Sequence, residues 1–326
     1  MTTSPAFDVT ALGESMLRLS VPAGQRLEAA DQFAVHLAGA ESNVCGALAA
    51  IGRRAGWVSR LPDSAVGRLV LRQLRSNSID TGAVVLAPDT RLGTYYAEFA
   101  GPPRAIQVIY DRANSAAANM TAADVNWDYL LNTRYLHLTG ITPALNAGCH
   151  ALVAEIIQRA KAAGVAVSFD VNYRGKLWTT AQAAAGLKPL IDNVDLLLCG
   201  QADARSVFGL SGDERALLAG LRALTRARHV VMTRGEAGAV ALDGDAFLSR
   251  PAVPVQIVDR VGAGDAFAAG VLDGLLDGSL AEGLVRGTAL AALVLSQSGD
   301  TLMTTRAEMQ AVIAKGAAAP ASGIVR

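Results

Sequence analysis

The stretch Asp259–Val271, DRVGAGDAFAAGV, sets three small residues directly before a carboxylate and then resumes with the Ala- and Phe-rich pattern of a buried helix. A helix start alone needs no such glycines, because a Ser, Asp or Asn cap satisfies its first amides. Bare backbone lets a ligand come close, and the unpaired N–H groups of a first helical turn select an anion. Upstream, VPVQIVD reads as a strand, which puts Gly262, Ala263 and Gly264 at a strand-to-helix junction. Open parallel sheets collect their ligands at such junctions. GxGxxG would require glycine where Phe267 stands, and GxxxxGK[ST] occurs nowhere in the chain. Asp265 is the anomaly. Beside a bound anion a carboxylate is repulsive, unless it accepts a proton from a nucleophile attacking that anion, as phosphoryl transfer to a hydroxyl demands. A favourable partner for the helix dipole is the alternative reading of the same residue.

Away from this turn the chain alternates short apolar runs with Ala-rich helical segments. FDVTALG precedes SNVCGALAAIG, and AGWVSRL precedes AVGRLVLRQLRSNSI. YLHLTGI precedes NAGCHALVAEIIQRAKAAG, and VAVSFDV, VDLLLCG and HVVMTRG continue the series. That rhythm predicts an α/β fold with a mostly parallel sheet covered on both faces. Two regions break it, about residues 15–37 and 83–112, where two-residue alternation suggests half-exposed antiparallel strands such as LGTYYAEF and AIQVIYDR. Both leave the α/β pattern and return to it, so they are expected to meet as one small sheet, a lid over the larger part. The segment from Gly316 onward reads as a loose tail.

Composition narrows the function classes. With 326 residues, 51% hydrophobic and 18% charged, the chain is long enough for a large core. Lys plus Arg and Asp plus Glu are 29 each, so no general attraction to nucleic acid or to an anionic membrane is expected. Any anionic ligand must be caught locally. Cys45, Cys149 and Cys199 are isolated and read as buried apolar residues; His36, His137, His150 and His229 show no metal spacing. MTTSPAFDVTALGESM has no basic region followed by an apolar run, and no stretch reaches the ~18 apolar residues of a membrane span. A cytoplasmic protein is expected.

The residues then carry a resemblance. VDRVGAGDAFAAGVL resembles the C-terminal signature of the ribokinase-like (phosphofructokinase-B) carbohydrate kinases, a pattern of the form D-T-x-G-A-G-D-x-F. FAVHLAGAESNVCGALAAIG and GWVSRLPDSAVGRLVLRQLRSNSIDT resemble its N-terminal partner, and the likeness spans about residues 8 to 312. Within the family GAESN, YDRANSAA, LHLTGITPAL and FDVNYRGKLW are most similar to the 2-keto-3-deoxygluconate kinases. The resemblance implies a three-layer αβα Rossmann-like architecture, one kinase domain over 1–326 with the lid drawn from about 15–37 and 83–112. It implies ATP, with Mg²⁺ carried on ATP, and a sugar-acid substrate; no metal ligand from the protein is expected, because the family's N-x-x-E is replaced here. Asp265 becomes the proton acceptor, and the Gly262, Ala263 and Gly264 amides receive charge on the transferring phosphoryl.

Further roles follow from the same likeness. Gly39 and Asn43 would hold sugar hydroxyls, although Asn43 also suits an ordinary helix cap. Tyr95, Tyr110 and Arg112 would project from the lid. In a strand Tyr110 and Arg112 share a face while Asp111 looks away. Arg112 and Arg174 would read the carboxylate of a keto-acid sugar, since guanidinium binds carboxylate through two directed donors. Thr233, Gly235 and Gly238 would border the nucleotide's phosphates and ribose, or form a plain β-turn, and Ala292 would leave room for adenine. Two positions depart from the family. GQAD, Gly200–Asp203, stands where N-x-x-E is common, with Asp203 as a replacement acid, and Arg260 replaces the usual Thr. Fructokinase, 5-dehydro-2-deoxygluconokinase and nucleoside kinase activities, or a sugar sensor without turnover, are the alternatives. Pairing of two or more copies through the lid is expected to be possible.

Overall fold

Period-two burial sorts the apolar strands between two cores. Leu196, Leu198 and Val231 join one cluster, whereas Leu197, Cys199, Val230 and Met232 join the other. Strands buried on both faces require helices on both sides. The computed structural model describes residues 4–101 and 103–316, so the expected tail beyond Gly316 lies outside the described residues. One central sheet runs in the order Ala246–Arg250, Ala239–Asp243, His229–Thr233, Leu196–Gly200, Ala166–Asp170, Thr133–Thr139, Phe7–Leu12, Ala55–Val58. Pairing is parallel from His229–Thr233 to Ala55–Val58 and antiparallel at the other edge. Helices Ala40–Ala50, Ala263–Leu276 and Leu280–Leu295 pack on one face. Helices Ala147–Ala162, Thr180–Ile191 and Glu214–Arg222 pack on the other. The result is the αβα sandwich that the alternation predicted.

One expected strand does not form. Residues 251–260, which contain VPVQIVD, carry no ladder. Pro251 and Pro254 lack the amide a ladder needs. The segment lies instead along the end of helix Leu280–Leu295, where the Val258 amide donates to the Leu295 carbonyl at 2.8 Å. The turn at Gly262 therefore follows an irregular wall rather than a strand.

The two segments that break the α/β rhythm supply a second, four-stranded sheet in the order Ala34–Ala38, Met16–Ser20, Thr94–Glu98, Gln107–Asp111. Its inner face gathers Met16, Ala38, Tyr95 and Ala97, and its outer face leaves Val35 and Ile109 exposed. Cys45, Cys149 and Cys199 are buried free thiols. Among the described residues no helix is long and apolar enough to cross a membrane. His137 is wholly enclosed 3.0 Å from the Ser168 hydroxyl, and burial pushes its pKa down to about 3.

A charged cluster ties the helices of one face together. Asp273, fully buried in helix Ala263–Leu276, meets Arg53 at 2.6 Å and both Arg286 and Arg306 at 2.7 Å. Asp277 meets Arg53 at 2.7 Å and Arg286 at 2.6 Å. Burial alone would raise the Asp273 carboxyl, but hydrogen bonds from Arg306, Arg53 and Arg286 hold it below its ordinary value. Hydrogen bonds from Arg53 and Arg286 bring Asp277 down to about 2. Depressed carboxyls stabilise the fold above their unfolded pKa, near 4, and that stability is lost as pH falls through the folded values. Asp273→Asn is expected to lower the unfolding free energy at neutral pH by about 3 kcal/mol, because three arginines lose their shared anion. Urea denaturation should show that difference shrinking as pH falls below about 4, where the unfolded chain's carboxyl begins to take up its proton.

Candidate active site

Backbone geometry at Gly262 builds the first part of the site. This residue precedes helix Ala263–Leu276 with φ +85°, and a Cβ placed on it would lie 2.4 Å from the Asp300 carbonyl oxygen. Only glycine takes that conformation in that space without strain. The first intrahelical bond runs from the Ala266 amide to the Gly262 carbonyl at 2.9 Å, so the Ala263, Gly264 and Asp265 amides precede the helical ladder. A Cβ on Gly264 would meet nothing within 4 Å, which leaves this backbone open to an incoming group.

Asp265 stands on that turn, only 8% exposed. Its carboxylate accepts a 2.8 Å hydrogen bond from the Asn43 side-chain amide. Asn43 lies in the first turn of helix Ala40–Ala50, whose cap, Gly39, lets the Glu14 carbonyl pack where a Cβ would be 2.4 Å away. The other end of the Asn43 amide, Oδ1, is buried without a partner. Burial pushes the Asp265 carboxyl up to about 7, against the Asn43 donor and the positive charge of Arg174. Asp170, at the C-terminal end of strand Ala166–Asp170, is likewise pushed up to about 7 by burial and by the charges of Asp265 and Asp203. Burial also raises Asp203, whose carboxylate accepts from the Tyr173 amide at 3.4 Å. Three carboxyls thus converge beyond the sheet's C-terminal edge, with Arg174, itself exposed, as their cation.

The small sheet contributes a cationic wall. Arg112 follows strand Gln107–Asp111 and is held by Glu14, with Nε 2.9 Å from Oε2 and Nη2 bonded to the same oxygen. Its guanidinium lies 5.6 Å from the centre of the Tyr110 ring. The ammonium of Lys176 approaches the same ring at 5.8 Å and donates to the Val108 carbonyl. Asp111 turns away to Arg91 at 2.6 Å. Tyr95 stacks near Tyr110 with centroids 5.4 Å apart, but its hydroxyl is occupied, donating to Asp300 at 2.8 Å.

On the other side of Asp265 lies a cleft of about 650 Å³. Thr233, Gly235, Gly238, Ala263, Gly264 and Ala292 line it, together with the irregular wall of residues 252–257 and with Arg260. Gly262 contributes the bend and packs against Asp300. The structure therefore brings Asn43, Asp265 and the glycine turn together, with the cationic wall and the cleft formed by separate groups. Sequence reasoning passed over Glu14, Arg18, Glu41, Asp170, Lys176 and Asp300. Asp170 ends its strand and Glu14 stands two residues past the end of another, positions that mark ligand-side residues. Glu41, enclosed and accepting from Thr139 at 2.7 Å and Thr142 at 2.9 Å, had no local signal beyond its place in an apolar helix.

These two glycines separate structure from binding. Gly262→Ala is expected to lose about 2 kcal/mol of stability, since the left-handed backbone and the Asp300 carbonyl both oppose the methyl group. Gly264→Ala should melt within about 2 °C of the wild type yet bind a nonhydrolysable nucleoside triphosphate about tenfold more weakly. Scanning calorimetry and titration calorimetry on the two variants read the two effects apart.

Known proteins resemble this chain along most of its length. Over 310 residues the chain is 37% identical to a 2-dehydro-3-deoxygalactonokinase of Haloferax volcanii, covering 95% of this chain and 97% of that one. It is 34% identical over 300 residues to a 2-dehydro-3-deoxygluconokinase of Bacillus subtilis, covering 90% and 91%. The crystal structure of a 2-dehydro-3-deoxygluconokinase of Thermotoga maritima superposes with a TM-score of 0.87 at 30% identity, covering 94% of this chain and 98% of that one. Residues 6–306 match the pfkB family carbohydrate kinases, and the chain belongs to that family.

Proposed function

We propose that this protein is an ATP-dependent kinase that phosphorylates the terminal hydroxyl of 2-keto-3-deoxygluconate. The observation that carries the reading is a buried carboxyl, Asp265, raised to about 7 and seated between a helix turn with unpaired amides and the unmet Oδ1 of Asn43. Such a group takes a proton near neutral pH and has an anion-receiving surface beside it. The cleft, with its apolar wall and glycine turns, suits a nucleotide. Bound ATP, with Mg²⁺ arriving on it, supplies an electrophilic phosphoryl group. Asn43 Oδ1 accepts from a sugar hydroxyl and orients it. Asp265 accepts the proton of the attacking hydroxyl, and the Ala263 and Gly264 amides meet the negative charge that develops on the transferred group. Closure of the small sheet, acting as a lid, keeps water from competing as acceptor.

Acidic specificity rests on Arg112 and Arg174. Glu14 occupies two of the three guanidinium nitrogens of Arg112 and leaves Nη1 for a ligand carboxylate. The two named relatives act on acids that differ at one stereocentre, so the epimer preferred here is decided by a panel of acceptors. Exposed Val35 and Ile109 on the outer face of the lid support its pairing with a second copy, which light scattering checks.

In a coupled assay of ADP release, 2-keto-3-deoxy acids should exceed fructose, 5-dehydro-2-deoxygluconate and nucleosides in kcat/KM by about a hundredfold or more. Arg112→Ala and Arg174→Ala should each lower kcat/KM for the acid by about tenfold to a hundredfold while leaving the KM for ATP unchanged. Unaltered turnover in both would refute the acidic acceptor, and binding without ADP release would identify a sensor.

Asp265→Asn should bind both substrates and lose turnover by about 10²-fold or more. It should also be the more heat-stable protein at pH ~8, by a margin that shrinks steadily toward pH ~4, because a raised folded pKa gives stability that is fully present below the unfolded pKa and is lost as pH rises through the folded one. Wild-type kcat/KM should climb with pH to a plateau above about 7, as Asp265 loses its proton.

A further inference from the structure

Arg18 sits on the inner side of the small sheet, in strand Met16–Ser20, and is almost wholly buried. Its register partner in the parallel neighbour is Tyr95. Both side chains leave the sheet and reach residues that frame the Gly262 turn. Arg18 Nη1 is 2.5 Å from Asp300 Oδ1 and Nη2 is 2.6 Å from Asp259 Oδ2, while the Tyr95 hydroxyl holds Asp300 Oδ2 at 2.8 Å.

The two aspartates shape the turn directly. Asp259 accepts the Val261 amide at 3.1 Å and the Gly299 amide at 3.2 Å. The backbone carbonyl of Asp300 is the group packed against Gly262. One guanidinium therefore bridges two carboxylates on either side of the amides that open toward the cleft. The same guanidinium rides on the sheet that carries Tyr110 and, at its edge, Arg112.

From this geometry we infer that Arg18 is a positioning residue that couples the lid to the phosphate-receiving turn, so that sugar and nucleotide each favour the other's binding. The inference rests on the kinase reading above. A sugar acid that seats the lid through Arg112 and Tyr110 steadies the strand bearing Arg18. Arg18, with Tyr95, then holds Asp259 and Asp300, and through them the left-handed bend at Gly262. Reciprocity is required: whatever factor the sugar exerts on the nucleotide, the nucleotide exerts on the sugar. Lysine cannot substitute, because its single ammonium lacks the planar fork that spans two carboxylates.

Titration calorimetry with 2-keto-3-deoxygluconate and a nonhydrolysable ATP analogue tests this. In the wild type, saturating sugar acid should tighten the analogue by about fivefold or more, and the converse titration should return the same factor. Arg18→Lys should bind each ligand alone within about threefold of the wild type, bring the coupling factor to about one, and lower kcat about tenfold. Tyr95→Phe keeps the ring and removes only the bond to Asp300, so it should show a smaller loss of the same coupling should Arg18→Lys fail to fold. A merely structural role would lower the melting temperature and leave the ratio of affinities untouched. The inference is overturned if the wild type binds both ligands independently, or if folded variants keep wild-type coupling and kcat. Failure of the wild type to bind either ligand overturns the functional reading, and this inference with it.

Discussion

Taking the Asp265 carboxylate out of water is the constraint to which the surrounding structure responds. Desolvation disfavours its charge, and Asp170 and Asp203 nearby share the same cation, Arg174. The Asn43 donor and the Arg174 charge only partly offset that penalty, and the carboxyl stays raised to about 7. Asn43 gives one hydrogen bond and stops there. Farther along the same helix the balance is reversed. Asp273 is as buried as Asp265, but three arginines surround it and its pKa falls. As pH falls, the Asp265 end of helix Ala263–Leu276 therefore gains stability between about 7 and 4, and the Asp273 end loses it below about 4. The distal cluster holds the helix, and the proximal carboxyl is left underserved.

Much of this architecture is legible in the order of residues. Alternation within LLLC and HVVM assigns each side chain to one core or the other, and GAG before Asp265 marks the turn. VPVQIVD misleads because its apolar pattern is that of a strand, whereas its Pro254 and the neighbouring Pro251 deny the ladder its amides. The cost of that error is small for the turn but large for the cleft. As an irregular wall the segment presents Val253, Val255 and Ile257 to the space beside Gly264, which a strand buried within the sheet would not do.

The residues that were not legible share one property. Arg18 finds Asp259 and Asp300 across more than two hundred intervening residues, and Glu41 finds Thr139 and Thr142 across about a hundred. A window of a dozen residues holds no trace of such pairings. What it does hold is an oddity: a charged residue inside an apolar strand, MLRLS, or inside an apolar helix, ESNVCGALAA. A buried charge is tolerated only when paired, so each oddity implies a distant partner without naming it. The same reasoning redirects Tyr95. Its aromatic ring on the lid suggested a ligand contact, and its hydroxyl is engaged by Asp300, a partner 205 residues away that no local window shows.

Charge is distributed unevenly about the reacting centre. Arg112 and Lys176 stand by the Tyr110 ring and Arg174 beside the Asp265 carboxyl, whereas Arg260 is the basic side chain lining the cleft of about 650 Å³ among the described residues. A neutral sugar would make little use of three cations, but an acid acceptor must bring its own negative charge close to a triphosphate. Without local neutralisation that approach is opposed at short range by several kcal/mol at the effective dielectric of a partly buried site. Glu14 tempers the arrangement by fixing one arginine rather than cancelling all three. Arg112 and Lys176 on one side and the bare amides of the glycine turn on the other thus offer positive charge from two directions, around carboxyls that Arg174 alone offsets.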